Sequence, residues 1–408
     1  MSSKVIVVGS SHAGANVAYS LRRDGFDGQI DLFTTETFLP YHRPPLSKDF
    51  LKDKVEENNL LFKKDSFYED NSIVVHLDTE VSSINREEQT ISYKDRSQDY
   101  DYLVLATGSL PRKLDLPNSD AKNILYLRDL TDAKLIKESL AHIKHVTLLG
   151  GGYIGLEVAS ALIELNYEVT LLEVEERILK RVTTDEISKF YHDYHSSRGV
   201  QIICSTGIEQ INVKGELCHE LLLTNGDNLK TDLMLVGIGA IPNTDLANAA
   251  GLECDGGLHV DHFCRTKDPR ILGAGDCTFH FNELLQDNLR LESVPNALAQ
   301  SKVVASSIIG NDLTYKELPW FWSDQYDLKL QMAGISRGFD DFHVIGDTSA
   351  ASFLACYGKN GHLIAVDSVN QPKQFMLLKK ALSSGSKISM EIIKDPEFSP
   401  DNIFSGSS

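Results

Sequence analysis

One pattern constrains this chain more than any other, and it occurs twice. K-V-I-V-V-G-S-S-H-A-G-A-N-V-A-Y-S-L runs from Lys4 to Leu21, and H-V-T-L-L-G-G-G-Y-I-G-L-E-V-A-S-A-L runs from His145 to Leu162. Each opens with the short apolar run of a strand buried on both faces of a parallel sheet, then passes through small residues into apolar positions at helical spacing. A second strand follows each, over Gln29–Phe33 and Glu168–Leu172. Two such βαβ units predict two nucleotide-binding domains. The full length of 408 residues is too great for one ordinary core.

A dinucleotide fingerprint uses glycines so that the backbone can turn tightly and approach a pyrophosphate, which then sits on a helix N-terminus. Gly150, Gly152 and Gly155 have the full spacing, and Glu173 ends the next strand. A carboxylate there accepts hydrogen bonds from a ribose and repels a 2′-phosphate, which favours NADH over NADPH; Arg177, close by, argues the other way. The first unit departs from the pattern. It reads Gly9-Ser10-Ser11-His12-Ala13-Gly14, with Ser11 at the middle glycine, and Thr34 and Thr35 stand where the acid is expected. Glu36, one step on, is read as the ribose ligand.

Apolar strands ending in small residues recur at Asp101–Ser109, Asp232–Asn243 and Ile271–Cys277. The chain changes character near Leu318, where alternating segments at 342–345, 351–357 and 362–366 predict a small antiparallel sheet followed by a helix over 372–382. The last residues, Ser405–Ser408, read as a frayed tail. Leu39–Lys48, L-P-Y-H-R-P-P-L-S-K, is stiffened by adjacent prolines and delivers a lysine at its end. A net charge of −18 argues against a nucleic-acid binder, which needs a concentrated basic face. No apolar stretch approaches the ~20 residues needed to span a bilayer. The apolar run ending at Gly9 is too short for a signal-peptide core, so a cytoplasmic protein is expected.

The six cysteines form no tight pair, and none precedes Cys204. His142 and His145, and His192 and His195, are spaced i,i+3 on expected helices; without a completing Cys or carboxylate they read as surface histidines, and no metal is expected. Trp320 and Trp322, the only tryptophans, are placed on a strand with their rings on opposite faces.

Y-H-R-P-P-L-S-K, A-T-G-S, G-G-G-Y-I-G-L-E-V-A, G-A-G-D-C, L-E-S-V-P-N-A-L and P-W-F-W-S-D-Q-Y-D occur in this order. Together they resemble the FAD-dependent ferredoxin reductases of bacterial oxygenase systems, relatives of the glutathione reductase fold. The likeness runs from Lys4 to about Asn370. It implies an α/β chain with two Rossmann-like nucleotide-binding domains and a small C-terminal α+β domain. The expected boundaries are 1–112 with 243–317 for FAD, 113–242 for NAD and 318–408 for the C-terminal domain.

The resemblance also implies site residues. For FAD these are Gly9, Ser11, His12, Ala13, Gly14, Thr35, Glu36, Arg43, Lys48, Val81, Ala106, Thr107, Gly108, Arg128, Gly275, Asp276, Glu292, Ser293, Val294 and Trp320. For NADH they are Gly150, Gly151, Gly152, Tyr153, Ile154, Gly155, Glu157, Glu173, Gly237, Ile238 and Gly239. Lys48 would stand beside the reactive edge of the flavin, Glu157 would face the nicotinamide amide, and Trp320 is the tryptophan expected against the flavin.

Disulfide reductases of the broader fold carry a close cysteine pair, and the peroxidases and coenzyme A disulfide reductases a single cysteine near the place of His42–Leu46; this chain has neither. The outlet for electrons is then the flavin itself, and a [2Fe-2S] ferredoxin the expected acceptor, with Lys302, Arg290 and Arg337 as docking cations. A reductase of a small-molecule acceptor, such as monodehydroascorbate or a quinone, and an NADH-binding signalling flavoprotein have the same FAD and NAD motifs.

Overall fold

The structure, a computed structural model, describes residues 3–403; Ser405–Ser408, read as frayed, lie outside them. The chain forms two compact units. One holds the segment through His42, Asn58–Leu110 and Ile241–Phe321; the other holds Arg43–Glu57, Pro111–Ala240 and the chain from Trp322 onward.

In the first unit the strand Lys4–Val8 lies between Gln29–Phe33 and Tyr102–Leu105, with Ile73–His76 and Ile271–Gly273 outermost, all parallel. The helix His12–Arg23 buries Val17, Ala18 and Leu21 in one core with Val5, Val7, Ile30 and Leu32 of the sheet. The second unit repeats the arrangement. His145–Leu149 lies between Glu168–Leu172 and Leu233–Val236, with Gln201–Ile203 and Ile124–Tyr126 outermost, again parallel. In both units a three-stranded antiparallel meander takes the place of a crossover helix between the third and fourth strands. The meanders are Val81–Asn85, Thr90–Tyr93 and Arg96–Asp99 in one unit, and Ile208–Lys214, Leu217–Leu223 and Asn228–Lys230 in the other. The sequence reading did not include them.

The expected C-terminal sheet is present and larger than its three sequence segments suggested. Its order is Trp320–Gln325, Leu328–Gly334, His362–Val369, Ser352–Lys359, Asp341–Asp347, and the helix Pro372–Ser383 buries Phe375 and Leu378. Trp320 and Trp322 share one face of their strand, against the expectation of opposite faces, because a strand returns to the same side every second residue. Ser323 and Gln325 lie on the other side and are almost fully buried.

Two histidine expectations are also corrected. His145 opens a strand and His142 lies in the turn before it, since the alternation in H-V-T-L-L is a buried-strand signal. His195, expected at the surface, faces inward from the helix Asp185–Ser196 and is fully buried.

One carboxylate ties the C-terminal sheet to the loop after Glu173 within the second unit. Tyr357 donates its hydroxyl hydrogen to Asp367 Oδ2 at 2.6 Å, and its oxygen lies 2.8 Å from Thr183 Oγ1. Burial pushes the Asp367 carboxyl up to about 7, although the Tyr357 hydrogen bond opposes the shift. A carboxyl raised in the folded state contributes stability that is full below its unfolded value, near 3.9, and is lost as pH climbs through the folded one. Asp367→Asn keeps the acceptor and removes the charge. Its melting temperature relative to the parent should therefore rise by at least about 3 °C between pH 4 and pH 8, measured by thermal denaturation. A flat difference across that range would contradict this account.

Candidate functional site

The two glycine loops are built on the same backbone contacts. The amide of Gly9 donates to the carbonyl of Phe33 and that of Gly150 to the carbonyl of Leu172, each at 2.8 Å, which ties the loop to the end of the second strand. Gly9 has φ +105° and Gly150 φ +113°, the left-handed region that favours glycine. A Cβ on Gly9 would lie 2.1 Å from the carbonyl oxygen of Ala106, and one on Gly150 would lie 2.4 Å from that of Gly237. Ala106–Gly108 and Gly237–Gly239 are thus equivalent, each crossing behind the first glycine of its loop. The third glycines are equally confined: a Cβ on Gly14 or Gly155 would meet the carbonyl oxygen of Gly9 or Gly150 at 1.8 and 2.1 Å.

The middle position behaves differently. Ser11 has φ −77° and ψ −159°, and Gly152 has φ −83° and ψ −179°, both extended. A Cβ on Gly152 meets nothing within 4 Å. The fold therefore accepts serine at this position, which accounts for the departure in the first unit. The space in front of Gly152 is the cradle that a pyrophosphate would enter. Neither helix carries an acidic residue in its first turn, so both N-termini keep their positive character for an anion, and the residues present fit two dinucleotides.

Around the first loop, His12 packs edge-on against Phe62, and Ala13 lies against Gly275, whose Cβ would stand 2.9 Å from that of Ala13. Gly275 donates its amide to the buried Gln300 side chain at 2.7 Å, and Ser109 donates to Asp276 Oδ2 at 3.1 Å. Val81 is buried at the head of the meander. Ser293 caps the helix Val294–Ile308 by accepting from Asn296 at 3.3 Å, and Glu292 is paired with Arg290. Thr35 is exposed, and Glu36 accepts from the Tyr41 hydroxyl.

In the second unit, Glu173 is held at the loop mouth. Its Oε2 accepts from Gly151 at 2.7 Å and its Oε1 from Glu175 at 2.9 Å. Arg177 donates to the carbonyl of Thr183 at 3.0 Å and pairs with Asp185 at 2.6 Å. Tyr153 and the exposed Ile154 open the helix. Arg43 donates to the carbonyl of Arg128 at 2.7 Å, which joins two expected FAD residues.

Lys48 and Glu157, far apart in sequence, meet here. Lys48 Nζ stands 3.0 Å from Glu157 Oε1, with only 14% and 7% of the two side chains exposed. The two hydroxyls that complete this pair, Ser47 at 2.7 Å from Oε2 and Ser323 at 2.6 Å from Oε1, were not singled out in the sequence. Ser47 adjoins the lysine in L-S-K. Ser323 sits in P-W-F-W-S-D-Q, where the tryptophans draw the eye. All six cysteines are free thiols; Cys277, beside Asp276, is buried and its thiol is pushed up by that burial.

Comparison with known proteins agrees with this geometry. Residues 3–301 match the pyridine nucleotide-disulphide oxidoreductase model, and residues 320–402 match the reductase C-terminal model. The chain is 38% identical over 402 residues to putidaredoxin reductase CamA of Pseudomonas putida, spanning 96% of this chain and 94% of that one. It is 36% identical over 407 residues to a ferredoxin–NAD(P)(+) reductase of Sphingomonas sp, spanning 99% and 98%. The crystal structure of the covalent putidaredoxin reductase–putidaredoxin complex is similar at a TM-score of 0.96 and 37% identity, over 99% of this chain and 98% of that one. Two glycine cradles, one buried cation–carboxylate pair and an antiparallel tail thus place the chain in the pyridine nucleotide-disulphide oxidoreductase family, with that family's reductase C-terminal domain.

Proposed function

We propose that this chain is an FAD-dependent reductase that takes hydride from NADH and passes electrons singly to a [2Fe-2S] ferredoxin feeding an oxygenase, either a ring-hydroxylating dioxygenase or a haem monooxygenase. The observation that carries the reading is the buried Lys48–Glu157 pair in a chain whose first cysteine is Cys204. Disulfide chemistry needs a sulfur nucleophile, and the chain before Cys204 offers this cation and carboxylate but no thiol. Bound FAD supplies the redox chemistry, as acceptor of a hydride and donor of single electrons.

The chain's own residues bind, orient and set charge. Residues 1–112 and 243–317 form the FAD-binding domain, 113–242 the NAD-binding domain and 318–408 the C-terminal domain. The first glycine loop with Asp276 and the Val294 helix start holds FAD. Lys48 supplies the cation that stabilises negative charge on a reduced ring, and Trp320 lies against that ring. The second loop holds the NADH pyrophosphate, Glu173 its ribose, and Glu157 the nicotinamide amide. Lys302, exposed on the Val294–Ile308 helix, leads the docking cations, followed by Arg337 and by Arg290, which is paired with Glu292.

Two experiments test this reading. NADH consumption by the FAD-loaded protein should depend strongly and saturably on a two-iron ferredoxin coupled to cytochrome c, and Lys302→Glu should raise the ferredoxin KM severalfold. Equal rates with and without several ferredoxins would overturn the assignment. The loops give the second test. Gly152→Ala should melt within about 2 °C of the parent but bind NAD+ at least about fivefold more weakly, since the added methyl enters only the cradle. Gly150→Ala should lose several degrees or fail to fold, because its methyl meets a backbone carbonyl. Unchanged NAD+ affinity in Gly152→Ala would remove the pyrophosphate from that loop.

A further inference from the structure

Behind Glu157 runs a chain of buried polar side chains that the reading above does not use. Gln325 Nε2 lies 3.1 Å from Ser323 Oγ, and Gln325 Oε1 lies 2.8 Å from His195 Nε2. Tyr326 Oη lies 3.4 Å from His195 Nδ1. Ser323, Gln325 and His195 are 1%, 0% and 0% exposed, so none can exchange its partner for water. They come from the tryptophan strand and the Asp185–Ser196 helix, yet they converge on a single carboxylate.

The direction of every hydrogen bond follows from the acceptor at the end. A carboxylate only accepts, so the one hydrogen of the Ser323 hydroxyl is spent on Glu157 Oε1 at 2.6 Å. The Ser323 oxygen must then accept, which turns the Gln325 amide so that its NH2 faces the serine and its carbonyl faces the imidazole. His195 Nε2 must therefore carry a hydrogen, which leaves Nδ1 to accept from Tyr326. All links donate toward Glu157.

The count at Glu157 gives the purpose. A carboxylate has about four acceptor positions. Among the described residues, Lys48 and Ser323 meet Oε1 and Ser47 donates to Oε2. Oε2 can accept a further bond, which suits one N–H donor, the carboxamide NH2 of a nicotinamide. We propose that Ser323, Gln325 and His195 are positioning residues: a one-way relay that saturates Oε1 and so presents Oε2 of Glu157 to the carboxamide, with His195 fixed as the Nε2–H tautomer. The inference rests on the reading that Glu157 meets the nicotinamide. Burial also pushes the His195 imidazole down to about 4, which keeps it a neutral member of the relay at ordinary pH.

The test uses the FAD-loaded full chain with two ligands, NAD+ and its 3-acetylpyridine analogue, which lacks the carboxamide N–H. The parent should bind NAD+ more tightly than the analogue. Ser323→Ala should weaken NAD+ binding severalfold, because Oε1 then needs another donor and Oε2 is no longer held toward the carboxamide, and should change analogue binding less than about twofold. Gln325→Met, which is close in size but cannot donate to Ser323, should act in the same direction. Equal losses for both ligands, or no loss for either, would overturn the relay. Glu157→Leu, which removes the acceptor, separates this from failure of the underlying reading. If that substitution leaves the discrimination intact, Glu157 does not meet the carboxamide and both ideas fall. If it abolishes discrimination while Ser323→Ala and Gln325→Met do not, only the relay falls. A measurement on the unaltered protein stands apart from folding of any variant: ¹⁵N spectra of labelled histidine should show His195 with its proton on Nε2 from pH 5.5 to 8. A proton on Nδ1 would overturn the proposal.

Discussion

Both nucleotide-binding folds in this chain depend on a contact between two glycines. The third glycine of each loop packs its Cα directly against the carbonyl of the first, leaving no room for even a methyl group. That approach starts the helix immediately beyond the strand, points its N-terminal amides outward and turns the first glycine into a left-handed conformation. The crossing segment from the fourth strand then closes over the first glycine, at Ala106 in one unit and Gly237 in the other. An anion site follows from backbone geometry alone. At the mouth of the second loop Glu173 accepts from the Gly151 amide.

The chemistry depends on a different economy. A buried carboxylate and a buried ammonium are costly to desolvate and hold only when their remaining hydrogen-bonding capacity is met. Glu157 meets that requirement with two hydroxyls besides Lys48, and one of these, Ser323, accepts from the Gln325 amide, whose carbonyl accepts from His195. The buried pair is thus charged and ordered by hydrogen bonds, and the six cysteines are free thiols.

The repeated βαβ units were legible because buried parallel strands and glycine spacing are local signals. The departure at Ser11 read as a weakness in the sequence; the extended backbone there shows that only a ligand, never the fold, asks for glycine at this position. The meanders escaped notice because their strands alternate weakly and are half exposed. Ser323, Gln325 and His195 escaped for a sharper reason. A serine and a glutamine alternating with tryptophans read as a solvent face, and a histidine on an amphipathic helix reads as surface, whereas burial of this face follows from long-range packing that no local pattern carries. The grouping of Arg43–Glu57 with the second unit is of the same kind, since Lys48 and Lys52 find their carboxylates on a helix more than 100 residues away.

The central claim is that reducing equivalents are stored on the flavin and not on sulfur. Anaerobic titration of the FAD-loaded protein with NADH, with thiols counted before and after, tests it most directly. The account predicts uptake of about two electrons per chain with no change in the number of reactive thiols. Uptake of about four electrons, accompanied by new thiols, would show a redox-active disulfide and contradict it.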